Sequence, residues 1–536
     1  MGELLREGPL QWGMAWEAWL TFQSERKAQY PGLNFEHEIP ADTPLRTVEA
    51  AVAALIERHE VLRTTFAADE DGHPVQRVWS PEPVVVHELD RVADPDAVEA
   101  FKTRDFEIDT EWPCRFAVVS RGEGQALLAS FSHIAMDDLA REILMRDFGE
   151  IWDAASSDRK PDLPPVECQP LDYAVYERSE KTSALRERSK QYWQQKLDEM
   201  PGAELGEVPE FTRYVNCRMR SRPAALRLER IAKHIGVPMS AVFTAVFSLA
   251  VKGATSKDVL PLEVASHGRV TSNALNVVAP LVRDVIMPIA LQPDQSFDDL
   301  AREVHRLAFE AVRYSMVDTL ALSEWKALAG SRKGGEIGSR ISLNFMHKTG
   351  NGRGHEGAQS YPDSTWESTL SDPVEYRGYS HHLHVSAGVS TQHGLELFVS
   401  GSEAIFGRRD IEAVARSITD LLELLDGASE PDVGDLQREI SNAFADPAPD
   451  SESEAALVSC AGAANGLASM NPRLSYAEGG GEFVRIPAVL GLLRDRGYEG
   501  LDWRDFRSQH SLATLSARLR STPAPTFVLS ASLMHE

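Results

Sequence analysis

Cysteine is scarce: Cys114, Cys168, Cys217 and Cys460 are the only four in 536 residues, and no two form a CxxC pair. That argues against a zinc framework built on paired thiolates and against a disulfide-stapled secreted scaffold, and a reduced cytosol is the expected setting. Positive charge is also short, with Lys+Arg 55 against Asp+Glu 81 and a formal net charge of −26. A surface that acidic repels phosphate backbones and anionic lipid, so neither nucleic acid nor a membrane surface is an expected partner. No run reaches the 18 or so apolar residues of a transmembrane helix. The opening stretch MGELLREGPLQWGMAW carries acidic residues and no unbroken apolar core, so it does not read as a signal peptide, and the cytoplasm is the default location. What remains is ordinary globular composition, 43% hydrophobic and 25% charged, with ample length to bury a core.

Hydrophobic spacing predicts mixed α/β structure. Val48, Ala51, Val52, Leu55 and Ile56 recur at helical spacing within 47–58. Apolar runs at 75–79 and 84–86 read as strands, and 116–120 with 126–131 as a hairpin turning at RGEGQ. A polar cluster, SHIAMDD, ends the second hairpin strand, and a helix follows over 139–152 with Leu139, Ile143, Leu144, Phe148 and Ile151 as its buried face. The proline-rich 156–170 reads as an extended crossover. Beyond it, helices are expected at 185–200, 223–235, 239–251, 297–315 and 409–425, and strands at 259–265, 341–346, 383–389 and 395–400. Each half mixes strands and helices, which predicts two lobes rather than one sheet.

The segment Ser132-His133-Ile134-Ala135-Met136-Asp137-Asp138 holds the leading candidate site. A histidine at a strand end titrates near neutrality, with an ordinary pKa of about 6.5, and can exchange a proton with a reacting group. An acid four residues on can orient the turn if a buried cation neutralises it. HxxxD alone is a weak signal, because an aspartate capping a helix gives the same pattern.

Other segments add to it. Arg58-His59-Glu60-Val61-Leu62-Arg63-Thr64-Thr65-Phe66, about seventy residues upstream, resembles the RHExLRTxF signature of nonribosomal peptide synthetase condensation domains, and SHIAMDD is similar to that family's HHxxxDG motif. Pro9-Leu10-Gln11 through Trp16 resembles the opening motif, and Asp172-Tyr173-Ala174-Val175-Tyr176-Glu177-Arg178 the DYAxWQR element. His267-Gly268-Arg269, Val277–Val285 and Phe297–Leu320 resemble later elements in the same order, so the likeness covers residues 8–430.

The resemblance implies two chloramphenicol-acetyltransferase-like lobes forming a V-shaped pseudo-dimer around a tunnel, with a first lobe at 1–170 and a second at 171–445. It implies that His133 is catalytic, accepting or hydrogen-bonding the proton of an attacking amine or hydroxyl at a thioester carbonyl. It also implies that Asp137 pairs with Arg63, and that Asn344, Trp366 and Ser386 line the tunnel. The implied reaction moves an acyl or aminoacyl group from a carrier-protein thioester to an amine or, as the lesser option, an alcohol. No metal or cofactor bound by this chain is expected, since phosphopantetheine arrives on the partner carrier. With no adenylation segment, the chain reads as a free-standing enzyme of secondary-metabolite biosynthesis.

Two positions depart from the family pattern. Ser132 replaces the first histidine, and Asp138 replaces the glycine. Facing the tunnel, Asp138 would raise the pKa of His133 or recruit a cationic acceptor; facing solvent, it is a helix cap. The related X domains, which recruit oxygenases and do not condense, also end this motif in two aspartates, but typically lack the histidine kept here as His133. An inactive docking platform is therefore one alternative, and a coenzyme A-dependent acyltransferase of the same fold is another.

After a linker at 446–453 (within DPAPDSESE), residues 454–520 resemble a peptidyl carrier domain, with helices at 455–463, 483–496 and 512–519 and a tail at 521–536. Phe483 stands where a carrier has the serine that bears phosphopantetheine. A phenyl ring offers no hydroxyl, so a degenerate carrier is expected. His381-His382-x-His384 lacks an acidic partner and reads as a strand edge or tunnel wall, with His382 and His384 on one face. Asp147-Phe148-Gly149 falls inside a helix and is no kinase motif. Gly479-Gly480-Gly481 lacks the lysine of a phosphate loop. Trp12, Trp16 and Trp19 read as core.

Overall fold

The computed structural model describes residues 2–13, 15–16, 18–19, 32–122, 124–157, 159–201, 211–255, 257–334, 337, 340–347, 367–370, 374–377, 381–390, 394–426, 430–444, 452–468, 470–472, 476–477, 479–507, 512–516 and 518–521. The chain divides into two compact units, Met1–Leu436 and Gln437–Glu536. The break falls inside a helix, Val433–Phe444, upstream of the linker that composition suggests at 446–453.

The first lobe of the large unit contains β1 (Leu4–Pro9), β2 (Leu33–Ile39), α1 (Leu45–Arg58), β3 (Thr64–Ala68), β4 (Pro74–Trp79), β5 (Val86–Asp90), α2 (Pro95–Thr103), β6 (Cys114–Arg121), β7 (Gly124–Phe131) and α3 (Asp138–Ser156). One sheet runs β2-β7-β6-β5 and a smaller one β1-β4-β3. The expected hairpin is present, with Arg121 opposite Gly124 at its turn. The strand expected at 84–86 begins only at Val86, because Val85 points to solvent. Helix α1 buries the five residues its spacing predicts, against Ile143, Leu144, Phe148 and Ile151 of α3 in one shared core. Leu139 faces outward instead of inward; Ala140, Asp147 and Trp152 complete the buried face of α3. Trp12, Trp16 and Trp19 are buried.

The second lobe contains α4 (Pro170–Arg178), α5 (Ser183–Glu199), β8 (Phe211–Ser221), α6 (Arg222–Ile235), α7 (Met239–Thr255), β9 (Val259–Ser266), β10 (Arg283–Ala290), α8 (Phe297–Arg313), α9 (Thr319–Arg332), β11 (Ile341–His347), β12 (Glu367–Leu370), β13 (Val374–Arg377), β14 (Leu383–Ser390), β15 (Gly394–Ser402), α10 (Arg408–Leu425) and α11 (Val433–Phe444). Its sheet runs β10-β9-β11-β14-β15-β8-β12, with β13 also on β8. Leu260, Leu262, Ile341, Leu343, Leu383 and Val385 form one buried face of this sheet. The alternating positions put Glu263, Ser342, Asn344, His384 and Ser386 on the other. Helix α7 is buried along 241–251, as an all-round apolar helix must be inside a protein. Among the described residues no single helix is long and apolar enough to cross a membrane.

The small unit packs α12 (Glu452–Asn465), α13 (Ile486–Asp495) and α14 (Leu512–Ser516), with a short pair β16 (Tyr498–Glu499) and β17 (Arg520–Ser521), around Leu457, Tyr476, Val489, Leu493, Phe506 and Leu515.

Candidate active site

Strand β7 ends at Phe131, and its continuation turns at once: the Ser132 amide donates to the Pro113 carbonyl and the Ala135 amide to the Ser132 carbonyl. This one-turn link carries His133 and delivers Asp137 to the N-cap of α3, where its side chain accepts from the Ala140 amide at 2.8 Å. A short acceptor at an N-cap satisfies a helix donor that has no partner inside the helix.

The Asp137 carboxylate does far more than cap. It is 1% exposed and accepts both Nη groups of Arg269, at 2.9 and 3.0 Å, together with the amides of Leu281 at 2.9 Å and Val282 at 3.3 Å. Arg269 in turn donates to the carbonyls of His267, Val277 and Ala279. A buried charge is tolerable only when so fully hydrogen-bonded. The knot fastens the His133 turn of the first lobe to the loop between β9 and β10 of the second. Gly268 makes the approach possible, because with φ +65° a Cβ there would sit 1.6 Å from the Leu281 carbonyl oxygen.

The expected Asp137–Arg63 pair does not exist. Arg63 is buried elsewhere, donating to the carbonyls of Trp79 at 2.6 Å and Ile56 at 3.3 Å, with Glu60 at 3.8 Å. It holds the end of α1 to β4, and Arg269 already satisfies Asp137. The Arg58-His59 start of the RHEVLRTTF motif is explained by a residue that sequence reasoning set aside: Asp147, fully buried on α3, accepts from Arg58 at 2.8 Å, His59 at 3.0 Å and Arg146 at 2.7 Å. Burial pushes its carboxyl up, but those donors overcome this and hold it well below the usual range. Glu177 of the DYAVYER element makes the matching tie in the second lobe, accepting from buried Arg283 and from the Trp12 amide. Burial leaves the Glu177 carboxyl above its ordinary value.

His133 is half-buried, and burial lowers its pKa from the ordinary histidine value; contacts with its own carbonyl, Asp138, Asp137 and the Met136 carbonyl pull upward without cancelling that. Asp138 thus pulls in the direction the sequence suggested but does not set the outcome. It is the first residue of α3, half-exposed, and paired with Arg141 at 2.8 Å. Ser132 is buried, and its Oγ has no hydrogen-bond partner among the described residues. An imidazole held neutral can accept a proton from an incoming nucleophile at pH 7.

Of the other expected site residues, Asn344 and Ser386 lie directly opposite each other on β11 and β14, half-buried, and Trp366 lies outside the described residues. Beside them His384 is bridged by Ser342 at 2.7 Å and Ser386 at 3.0 Å, and burial drives its pKa down to about 4. The His381 ring approaches His384, at 5.8 Å. All four cysteines are free.

Two α/β lobes locked together behind a histidine-bearing turn form a chloramphenicol-acetyltransferase-like arrangement. The chain belongs to the condensation-domain family, which residues 26–436 match. Gramicidin S synthase 2 of Brevibacillus brevis is 26% identical over 326 residues, covering 57% of this chain; the chain spans 7% of that relative's length. Among solved structures, the one describing condensation domain-mediated chain release from the enacyloxin polyketide synthase is similar at TM-score 0.62 and 17% identity, over 80% of this chain and 84% of that one. The X-domain–OxyB complex from teicoplanin biosynthesis is similar at TM-score 0.61 and 18% identity, over 81% and 97%. At those identities the structural likeness speaks for the fold. The family's chemistry is acyl transfer in peptide biosynthesis, by amide-bond formation on carrier-tethered substrates.

Proposed function

We propose that this chain transfers an acyl or aminoacyl group from a carrier-protein thioester to an amine, forming an amide, with a hydroxyl acceptor as the lesser option. The observation that carries this reading is His133 held neutral on a turn that Asp137 and Arg269 fix in place. The imidazole takes or hydrogen-bonds the proton of the attacking nitrogen as the C–N bond forms. The thiol of the partner's phosphopantetheine arm is the leaving group. We propose that activated substrates come from other proteins and that no metal takes part. The test offers one acyl group on a carrier and on coenzyme A, with amine acceptors, and follows product by mass. Product from the carrier alone supports the reading; turnover of free acyl-coenzyme A at least as fast points to a coenzyme A-dependent enzyme.

Two observations favour a second reading, a noncatalytic platform for carriers or tailoring enzymes: the paired Asp137 and Asp138, and the likeness to an X domain solved with OxyB. That platform binds a loaded carrier and gives no product.

A pH dependence follows from the first reading. A base whose folded pKa is lowered stays competent below neutrality and is lost only as it protonates. With an acceptor that remains uncharged from pH 5 to 8, kcat/KM stays level through neutral pH and falls on the acid side with a midpoint below about 6.5. A midpoint above 7 would contradict a burial-lowered His133.

The small unit reads as a degenerate carrier. Phe483 is 51% exposed at the start of the 3-10 turn leading into α13, where an attachment serine would stand. Treatment with a phosphopantetheinyl transferase and coenzyme A is expected to leave the intact mass unchanged; an added phosphopantetheine would refute this.

A further inference from the structure

Strand β10 begins beside the reaction turn. The Val282 amide donates to Asp137, four residues after His133. Asp284 lies two residues further, on the same side of the strand as Val282 and about 7 Å along it at the usual strand rise. It projects from the polar face that also carries Glu263, Ser342, Asn344, His384 and Ser386. The side chain is open to water although protein surrounds it, and among the described residues its carboxylate has no hydrogen-bond or ion-pair partner. It also borders a small cavity of about 30 Å³ with Gly13, Trp193, Ser315, Thr319 and Leu322.

Among the described residues Asp284 lacks a bound counter-ion. Ala265 stands directly opposite Asp284 on β9, and Glu263 is the diagonal neighbour on the same face. The nearby cation, Lys326 of α9, reaches Glu263 at 3.5 Å. His381 and His384 stay neutral because burial lowers both. Arg283 points the other way, into its pair with Glu177. Among the described residues Lys326 is paired with Glu263, and no cation is bound to Asp284 itself. The surrounding protein first, and Glu263 second, push the Asp284 carboxyl up to about 6, while Lys326 pulls it the other way.

We propose that Asp284 is a specificity-determining residue that receives a cationic group, an ammonium or guanidinium, carried by the substrate held in front of His133. The proposal rests on the acyl-transfer reading above and names its substrate class. The cation belongs to the acceptor, beside its nucleophilic nitrogen, or to the donor acyl chain, and the test separates the two. One arm pairs a neutral acyl-carrier with a competing mixture of a diamine and its neutral isostere. The other pairs a neutral amine with carriers bearing a lysine-like or norleucine-like acyl group.

Wild type is expected to favour the cationic member of one arm about tenfold, the effect of one charge-assisted hydrogen bond, and Asp284→Asn to remove most of that ratio. Asp284→Lys is expected to invert it. A ratio unchanged by Asp284→Asn in both arms overturns the proposal. Binding of the diamine, and of the lysine-like donor as a soluble thioester, to the full chain and to Asp284→Asn is measured in parallel by calorimetry. If no condensation occurs but binding of either cation depends on Asp284, the acyl-transfer reading fails and the cation site stands. If neither binding nor selectivity responds to Asp284, the site fails.

Discussion

Replacing His133 with alanine is expected to lower single-turnover amide formation by about 10²- to 10⁴-fold, the usual contribution of a positioned general base or proton acceptor. The size follows from placement. His133 sits on a turn fixed at both ends, by the β7 backbone and by the Asp137 cap, and its burial-lowered pKa leaves the imidazole free to accept a proton. The substitution leaves the Asp137–Arg269 ties and the α3 cap in place, so the variant is expected to keep its far-ultraviolet circular dichroism and nearly its wild-type urea midpoint. Equal rates from the two proteins would remove His133 from the chemistry.

Replacing Asp137 with alanine acts on the fold and is expected to lower unfolding stability by about 3–5 kcal/mol, the range for breaking a buried pair from one side. Three losses combine: Arg269 is left buried and uncompensated, the Leu281 and Val282 amides lose their acceptor, and α3 loses its cap. Arg269→Met is expected to cost a similar amount, and the double variant less than the sum, because one interaction is counted in both singles. Urea denaturation of the four proteins measures this. A loss below about 1 kcal/mol for Asp137→Ala would mean the knot is weaker than its geometry indicates.

Much of this was legible in the sequence where one periodicity ruled. Helices α1 and α7 and the β6–β7 hairpin follow from apolar spacing alone, because each buries one face or all of itself. Strand β10 was not legible that way: RDVIMPIA mixes charge with a proline, which the ladder accepts only because β10 lies at the sheet edge. The motif resemblance located His133 and Asp137 but gave Asp137 the wrong cation. Spacing cannot reveal that Arg269, 132 residues downstream, outcompetes Arg63. The available signal was glycine before arginine at 268–269, where positive φ lets the loop close onto Asp137. Asp147 was similarly hidden, since an acid on the apolar side of a helix announces its burial only once His59 and Arg58 are seen beside it.

That His133 drives acyl transfer is tested most directly by following one acyl-loaded carrier by intact mass through a single turnover with a neutral amine, with wild type and with His133→Ala. Wild type is expected to strip the acyl group from the carrier and yield amide in equal amount, while the variant leaves the carrier loaded. A carrier that binds yet stays loaded with both proteins would contradict this and leave a docking platform.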